Sequence, residues 1–229
     1  MMRGIWMMGA AAMLASCEGP DAGDAPHSAS KAAVDSPADR VTARSASAVR
    51  DTAYAFRLYE AHPGTVDSII VTRGGAVVQT LRPAENHVPP EIEIERISRI
   101  DLDFDGHADL GFVMELAMAN STSEYWRMDP ATGRFVPAGV HPTLRPDSAA
   151  RELTSFERGG HAGRLWTASR WRWMDGALAE VRREEQDLTA EGDRYVRIVR
   201  DRRDGVLAET SRDTLDDAGV RAGPSWMEP

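Results

Sequence analysis

Residues 166–181 read WTASRWRWM-DG-ALAEV, from Trp166 through Asp175-Gly176 to Val181. Trp171 and Trp173 stand two apart, so on a strand they share one face. Asp-Gly between β-prone runs supplies the two residues of positive φ that a type I′ turn requires, and the stretch predicts an antiparallel hairpin. The same pattern recurs on both sides. Ser68 to Thr72 and Ala76 to Leu81 flank Gly74-Gly75, and Tyr195 to Arg200 and Val206 to Thr210 flank Asp204-Gly205. Asp129-Pro-Ala-Thr-Gly133 separates Tyr125-Trp126 from Phe135-Val136. Many short strands with closely spaced turns predict an all-β domain: an antiparallel sandwich, barrel or propeller-like meander of short hairpins. Two stretches compete as helices on composition, 177–190 and 211–220; the first follows a hairpin turn and reads as strand, then loop.

The chain has 229 residues, 42% of them hydrophobic, enough to bury a core without disulfide or metal support. With 27 basic against 36 acidic side chains its net charge is −9, which disfavours nucleic acid as a bulk partner. The one cysteine excludes both an internal disulfide and a zinc site built on cysteines.

Position explains that cysteine. Arg3, the apolar run Gly4 to Leu14 and the small residues before Cys17 make an export signal, too short to span a bilayer, which takes about 20 residues. Leu14-Ala-Ser-Cys17 resembles the lipobox of bacterial lipoproteins, which implies cleavage before Cys17 and acylation of its thiol. The resemblance also implies sorting by the following residue, Glu18, which favours the outer membrane. Residues 18–50 are Ala-, Ser-, Asp-, Pro- and Gly-rich, a composition that cannot offset its ordering entropy and predicts a disordered tether. The expected organisation is therefore a signal peptide over 1–16, lipidated Cys17 with a tether over 17–50, and a β-domain over 51–229. Removing Arg3 with the signal leaves 26 basic and 36 acidic side chains, a net of −10.

One loop carries recognisable chemistry. Asp101, Asp103, Asp105 and Asp109 occupy positions 1, 3, 5 and 9, with Gly106 at position 6. Carboxylates on alternate residues can wrap a hard cation that takes six to eight oxygens, the glycine allows the sharp turn, and the His107 carbonyl is the expected backbone ligand; calcium is the predicted cofactor. Imidazole prefers zinc or copper, which argues against the His107 side chain as a ligand in an all-oxygen loop. Phe112 stands at position 12 in place of the bidentate Glu of an EF-hand, and the flanks read as strands. At about 1 mM calcium and a Kd of about 10⁻⁴–10⁻³ M, linkage gives roughly 0.4–1.4 kcal/mol, a structural contribution.

The loop resembles the calcium loops of FG-GAP repeats in integrin-type propellers. Together with Asp129 to Phe135, Ser155 to Gly160 and Trp171 to Gly176, the chain over about 95–185 resembles a family of bacterial periplasmic lipoproteins. That family includes immunity proteins to a Xanthomonas type IV secretion system effector bearing a lysozyme-like peptidoglycan hydrolase domain. The resemblance implies a β-propeller-like domain, bound calcium, and inhibition of a cell-wall hydrolase by occlusion of its cleft.

Tyr125, Ser155, Arg158, Gly159, Gly160 and His161 are the candidate partner contacts, the last five as a polar Gly-rich loop; a plain connecting loop is the simpler reading. Trp126, Trp166, Trp171 and Trp173 offer an aromatic platform, with core packing as the simpler reading. Arg194, Arg197, Arg200, Arg202 and Arg203 read first as a solvated, charge-blunted hairpin edge. No Gly-x-Ser-x-Gly, His-Glu-x-x-His or phosphate-binding Gly-rich loop is present, so the expectation is a binding protein, not an enzyme. The alternative to an inhibitor is a structural or envelope-assembly calcium lipoprotein.

Overall fold

A computed structural model describes residues 53–227 apart from 118 and 217, all within the compact unit Ala43–Pro229. The expected signal peptide, Cys17 and the expected tether lie outside the described residues. Thirteen strands form three antiparallel sheets. The first holds β1 (Tyr54–His62), β2 (Thr65–Arg73) and β3 (Ala76–Leu81) in that order. The second holds β4 (Ile97–Ile100), β5 (Asp109–Leu116), β6 (Ser121–Asp129) and β7 (Arg134–Pro142). The third runs from β8 (Arg145–Asp147) through β9 (Glu152–Arg158), β10 (Trp166–Met174), β11 (Ala177–Leu188) and β12 (Tyr195–Arg203) to β13 (Val206–Leu215).

The turns behave as their composition demands. Asp175 and Gly176 take φ of 51° and 81°, Asp204 and Gly205 50° and 84°, and Gly74 and Gly75 56° and 83°. Each two-residue turn joins paired ends, Met174 to Ala177, Arg203 to Val206 and Arg73 to Ala76. Both stretches of helical composition are overruled by pairing: 177–188, which follows a hairpin turn, is strand throughout, and 211–215 belongs to β13. Sheet neighbours supply ladder bonds that intrinsic helix propensity, worth under about 1 kcal/mol per residue, cannot match.

The middle sheet is covered on both faces. Leu110, Phe112, Met114, Trp126, Met128 and Phe135 pack with Tyr54, Val66, Ile69, Val71 and Leu81 of the first sheet. Tyr125, one residue along β6 and so on the opposite face, packs with Ile100, Leu102, Leu144 and Leu153, against which Trp171, Trp173 and Leu178 of the third sheet lean. Period-two alternation thus divides β6 between two cores. Gln79 joins β3 to β7, donating its amide to the Phe135 carbonyl and accepting the Phe135 N–H, both at 2.8 Å. Arg96 spans the first two sheets, donating to the Gly64 and Val113 carbonyls and to Asn86 Oδ1 while lying 4.6 Å over the Phe112 ring.

The antiparallel meander is present, but among the described residues the three sheets close into neither a barrel nor a propeller. Hairpin signals specify neighbouring strands; closure depends on pairing between distant ones, which local turn chemistry does not encode.

Candidate functional site

The acidic loop is the connection between β4 and β5, whose ends Ile100 and Asp109 are paired. Asp101 is buried and its carboxylate accepts the N–H groups of Asp105 at 3.1 Å and Gly106 at 3.0 Å, curling the loop back on its first residue. Asp105 accepts the His107 N–H at 2.8 Å. Gly106 takes φ of 89°, a conformation in which a side chain would be strained. Phe104 also lies in the left-handed region, at φ 59°, where the Arg151 guanidinium covers its ring at 5.7 Å and donates to its carbonyl at 2.9 Å.

Asp109 anchors the loop to the core. It is 1% exposed, and its two oxygens accept the N–H of Leu102 at 2.7 Å and of Met128 at 2.6 Å. Burial pushes its carboxyl up to about 8, against the pull of those two donors; the nearby Asp103 and Asp105 carboxylates push the same way. Burial also raises Asp101, opposed by its backbone donors. Both shifts mark a place where negative charge is short of compensation.

The structure brings Asp101, Asp103 and Asp109 together, each with one carboxylate oxygen within 4.8 Å of the others. Asp103 is already partly compensated by Arg127, at 3.1 Å, whose guanidinium stacks 5.5 Å from the Trp173 ring. Asp105 is exposed, and its side chain is not part of that trio. His107 Nδ1 is buried with no hydrogen-bond partner among the described residues. An all-oxygen donor set fits a hard cation, with Asp101, Asp103 and Asp109 as the residues to hold it. The sequence could not show Arg127, because it reaches the loop across the β5–β6 pairing.

The candidate partner contacts separate into two groups. Tyr125 is 2% exposed and its hydroxyl accepts the Leu144 N–H at 2.8 Å. Ser155 is 4% exposed, lies inside β9, and its Oγ accepts Trp171 Nε1–H at 3.0 Å. The expected loop therefore begins only at the end of β9. Arg158, Gly159, Gly160 and His161 are exposed there. Gly159 donates to the Leu165 carbonyl at 2.7 Å, and a Cβ on it would meet the Leu165 Cβ at 2.9 Å, so the tight loop needs glycine. His161 and Ala162 follow with φ of 53° and 54°, a left-handed turn that presents His161 edge-on to Tyr195.

Beneath this loop the third sheet carries a buried polar cluster that the sequence did not suggest. Ser169, opposite Ser155 in the ladder, donates to Glu180 at 2.5 Å, and Glu180 is held by Arg183. His141 sits edge-on to Trp171 at 4.9 Å, and burial lowers its pKa despite the Ala138 carbonyl and the Glu180 charge. The tryptophans are packing residues: Trp126 and Trp166 are buried, and Trp171 and Trp173 rest on the second core. Arg197 and Arg200 pair with Glu184 and Glu185 across the sheet, Arg194 with Asp193, and Arg202 donates to the Glu180 carbonyl.

These features define an all-β protein of three antiparallel sheets with a carboxylate-lined connection in the middle one. No protein family matches the chain, and no curated protein matches it. Among solved structures it is similar to one described as a Xanthomonas type IV secretion system related protein, at 16% identity, over 70% of this chain and 90% of that one, with a TM-score of 0.52. At that identity the likeness establishes the shared fold.

Proposed function

We propose that the chain is a lipid-anchored periplasmic immunity protein that binds a lysozyme-like peptidoglycan hydrolase and occludes its cleft, using a calcium-stabilised β scaffold. The observation that carries this reading is the fold shared with the type IV secretion system related protein, over most of both chains. The FG-GAP-like loop and the lipobox-like Leu14 to Cys17 support it from the sequence. Occlusion needs contacts held on a rigid frame, since ordering a loop on binding subtracts from affinity. The exposed turn from Arg158 to His161 meets that need: its first residue is clamped by Asn120, which accepts the Arg158 N–H at 2.7 Å and donates to its carbonyl at 2.9 Å. A guanidinium on such a turn suits the paired carboxylates of a glycosidase cleft.

Calcium, when bound, neutralises the carboxylates of the β4–β5 connection. The chain's own part is to hold Asp101 and Asp109 by backbone donors so that their free lone pairs converge. Cys17 would fix the protein to the outer membrane, with the tether setting its reach. The test is capture from periplasm on the immobilised protein, followed by identification of the bound proteins. A peptidoglycan hydrolase enriched by the native protein and lost with Arg158→Glu is the expected result. Capture of envelope components without any hydrolase would favour the structural lipoprotein reading.

A further inference from the structure

We infer that the cleft between the ends of β8 and β9 and the C-terminal segment is a binding site for a small amphipathic carboxylate, an anionic head on an apolar body. The cleft has a volume of about 530 Å3, within the range of roughly 300–1,000 Å3 typical of small-molecule sites. Arg145 and Arg158 both line it, and among the described residues no acidic side chain does. In a chain with 36 acidic side chains against 27 basic ones, that is a local reversal of sign. Neither guanidinium makes an ion pair or a side-chain hydrogen bond among the described residues, whereas Arg170, Arg172, Arg182 and Arg183 of the same sheet are all paired. Two planar forks lining one cleft, unpaired among the described residues, match a carboxylate, which a guanidinium binds in bidentate fashion.

Phe156, Pro224 and Met227 give the cleft its apolar lining. Its far wall is held deliberately. Gln186 is 1% exposed and donates to the Arg164 carbonyl at 2.6 Å and the Arg221 carbonyl at 2.8 Å, while accepting the Arg221 N–H at 3.1 Å. Trp166 Nε1–H donates to the same Arg221 carbonyl at 2.9 Å, and Arg197 to the Gly219 carbonyl at 3.0 Å. Trp226 donates to Glu184 at 3.3 Å and lies under the Arg170 guanidinium at 4.5 Å. The segment 219–227 is thus clamped to the sheet, and the cleft is a preformed feature. On the near side Asn120 fixes the Arg158 backbone, and ladder pairing with Thr154 fixes that of Arg145. Preformed walls lower the ordering cost of binding.

The cleft shares Arg158 with the proposed hydrolase contact, but its test uses no hydrolase, so the two readings fail separately. The purified full chain is titrated with N-acetyl-phenylalanine and with octanoate, following backbone amide shifts of Asn120, Ala222 and Gly223 by NMR. N-Acetyl-phenylalaninamide, which keeps the body and lacks the charge, and inorganic phosphate, which keeps charge and lacks the body, are the controls. The expected Kd for at least one carboxylate is about 1 mM or tighter, weakened about tenfold by Arg145→Gln and by Arg158→Gln and at least as much in the amide. Ala222→Trp, which fills the cleft from an exposed position, should abolish the shifts with the fold intact. Absence of shifts with both carboxylates, equal binding of the amide, phosphate binding alone, or indifference to both arginine substitutions would each overturn the proposal.

Discussion

Asp109→Ala is the substitution through which the loop and the core can be separated. Its carboxylate satisfies the N–H groups of Leu102 and Met128, residues 0% and 3% exposed. Removing it strands two buried donors at about 1–3 kcal/mol each, so the expected loss is about 2–6 kcal/mol. For a domain of this size that lowers Tm by about 4 °C at the least. Asp109→Asn keeps one acceptor and turns a donor toward the other N–H, so its loss should be about half. The pH dependence in chelator follows from the carboxyl at about 8 against its ordinary 3.8. The native state then holds a proton that the unfolded chain has released, so this group's contribution to stability falls as pH rises from about 4 to about 8, and Asp109→Asn should flatten that slope. Urea unfolding followed by tryptophan fluorescence, with buried Trp126 beside Met128, measures both effects. A loss below about 1 kcal/mol for Asp109→Ala would refute the bracing role, because two buried donors cannot go unsatisfied so cheaply.

Asp103→Ala with Asp105→Ala should remove the stabilisation that about 1 mM calcium gives, roughly 0.4–1.4 kcal/mol, so that calcium no longer raises the variant's stability; calorimetry with and without calcium checks this. Gly111→Ala should cost about 1–3 kcal/mol in urea unfolding, because a Cβ there would meet Ser98 Oγ at 2.5 Å and the Tyr125 ring at 2.9 Å, and that ring is fixed by the Leu144 N–H. Cys17→Ser should move the protein from the membrane to the soluble fraction of a cell lysate, because a cysteine-linked acyl anchor is then absent.

Much of the fold was legible because it is written locally. Asp175-Gly176 and Asp204-Gly205 announce their turns by chemistry alone, and of the four aspartates spaced along 101–109 the structure brings three together, Asp101, Asp103 and Asp109. Pairing with a strand decided 177–188 over its helical composition, a decision that the preceding turn already signalled. What escaped the sequence is non-local. Ser155 looked like part of a polar loop, yet its partner Trp171, half-buried, is brought beside it by the β9–β10 ladder, and Ser155 becomes interior. Arg127 compensates Asp103 across another ladder, and Arg145 and Arg158, on the paired strands β8 and β9, share one cleft with the C-terminal segment. A propeller-like domain was what the family resemblance implied; among the described residues three antiparallel sheets, formed one after another along the chain, satisfy the same turns.

The most direct test of the central claim is a peptidoglycan turnover assay with a lysozyme-like hydrolase from a type IV secretion effector, titrated with the purified protein. The account predicts inhibition that saturates near one protein per hydrolase in calcium, weakens in chelator and is lost with Arg158→Glu. Full hydrolase activity at excess protein in calcium would contradict it.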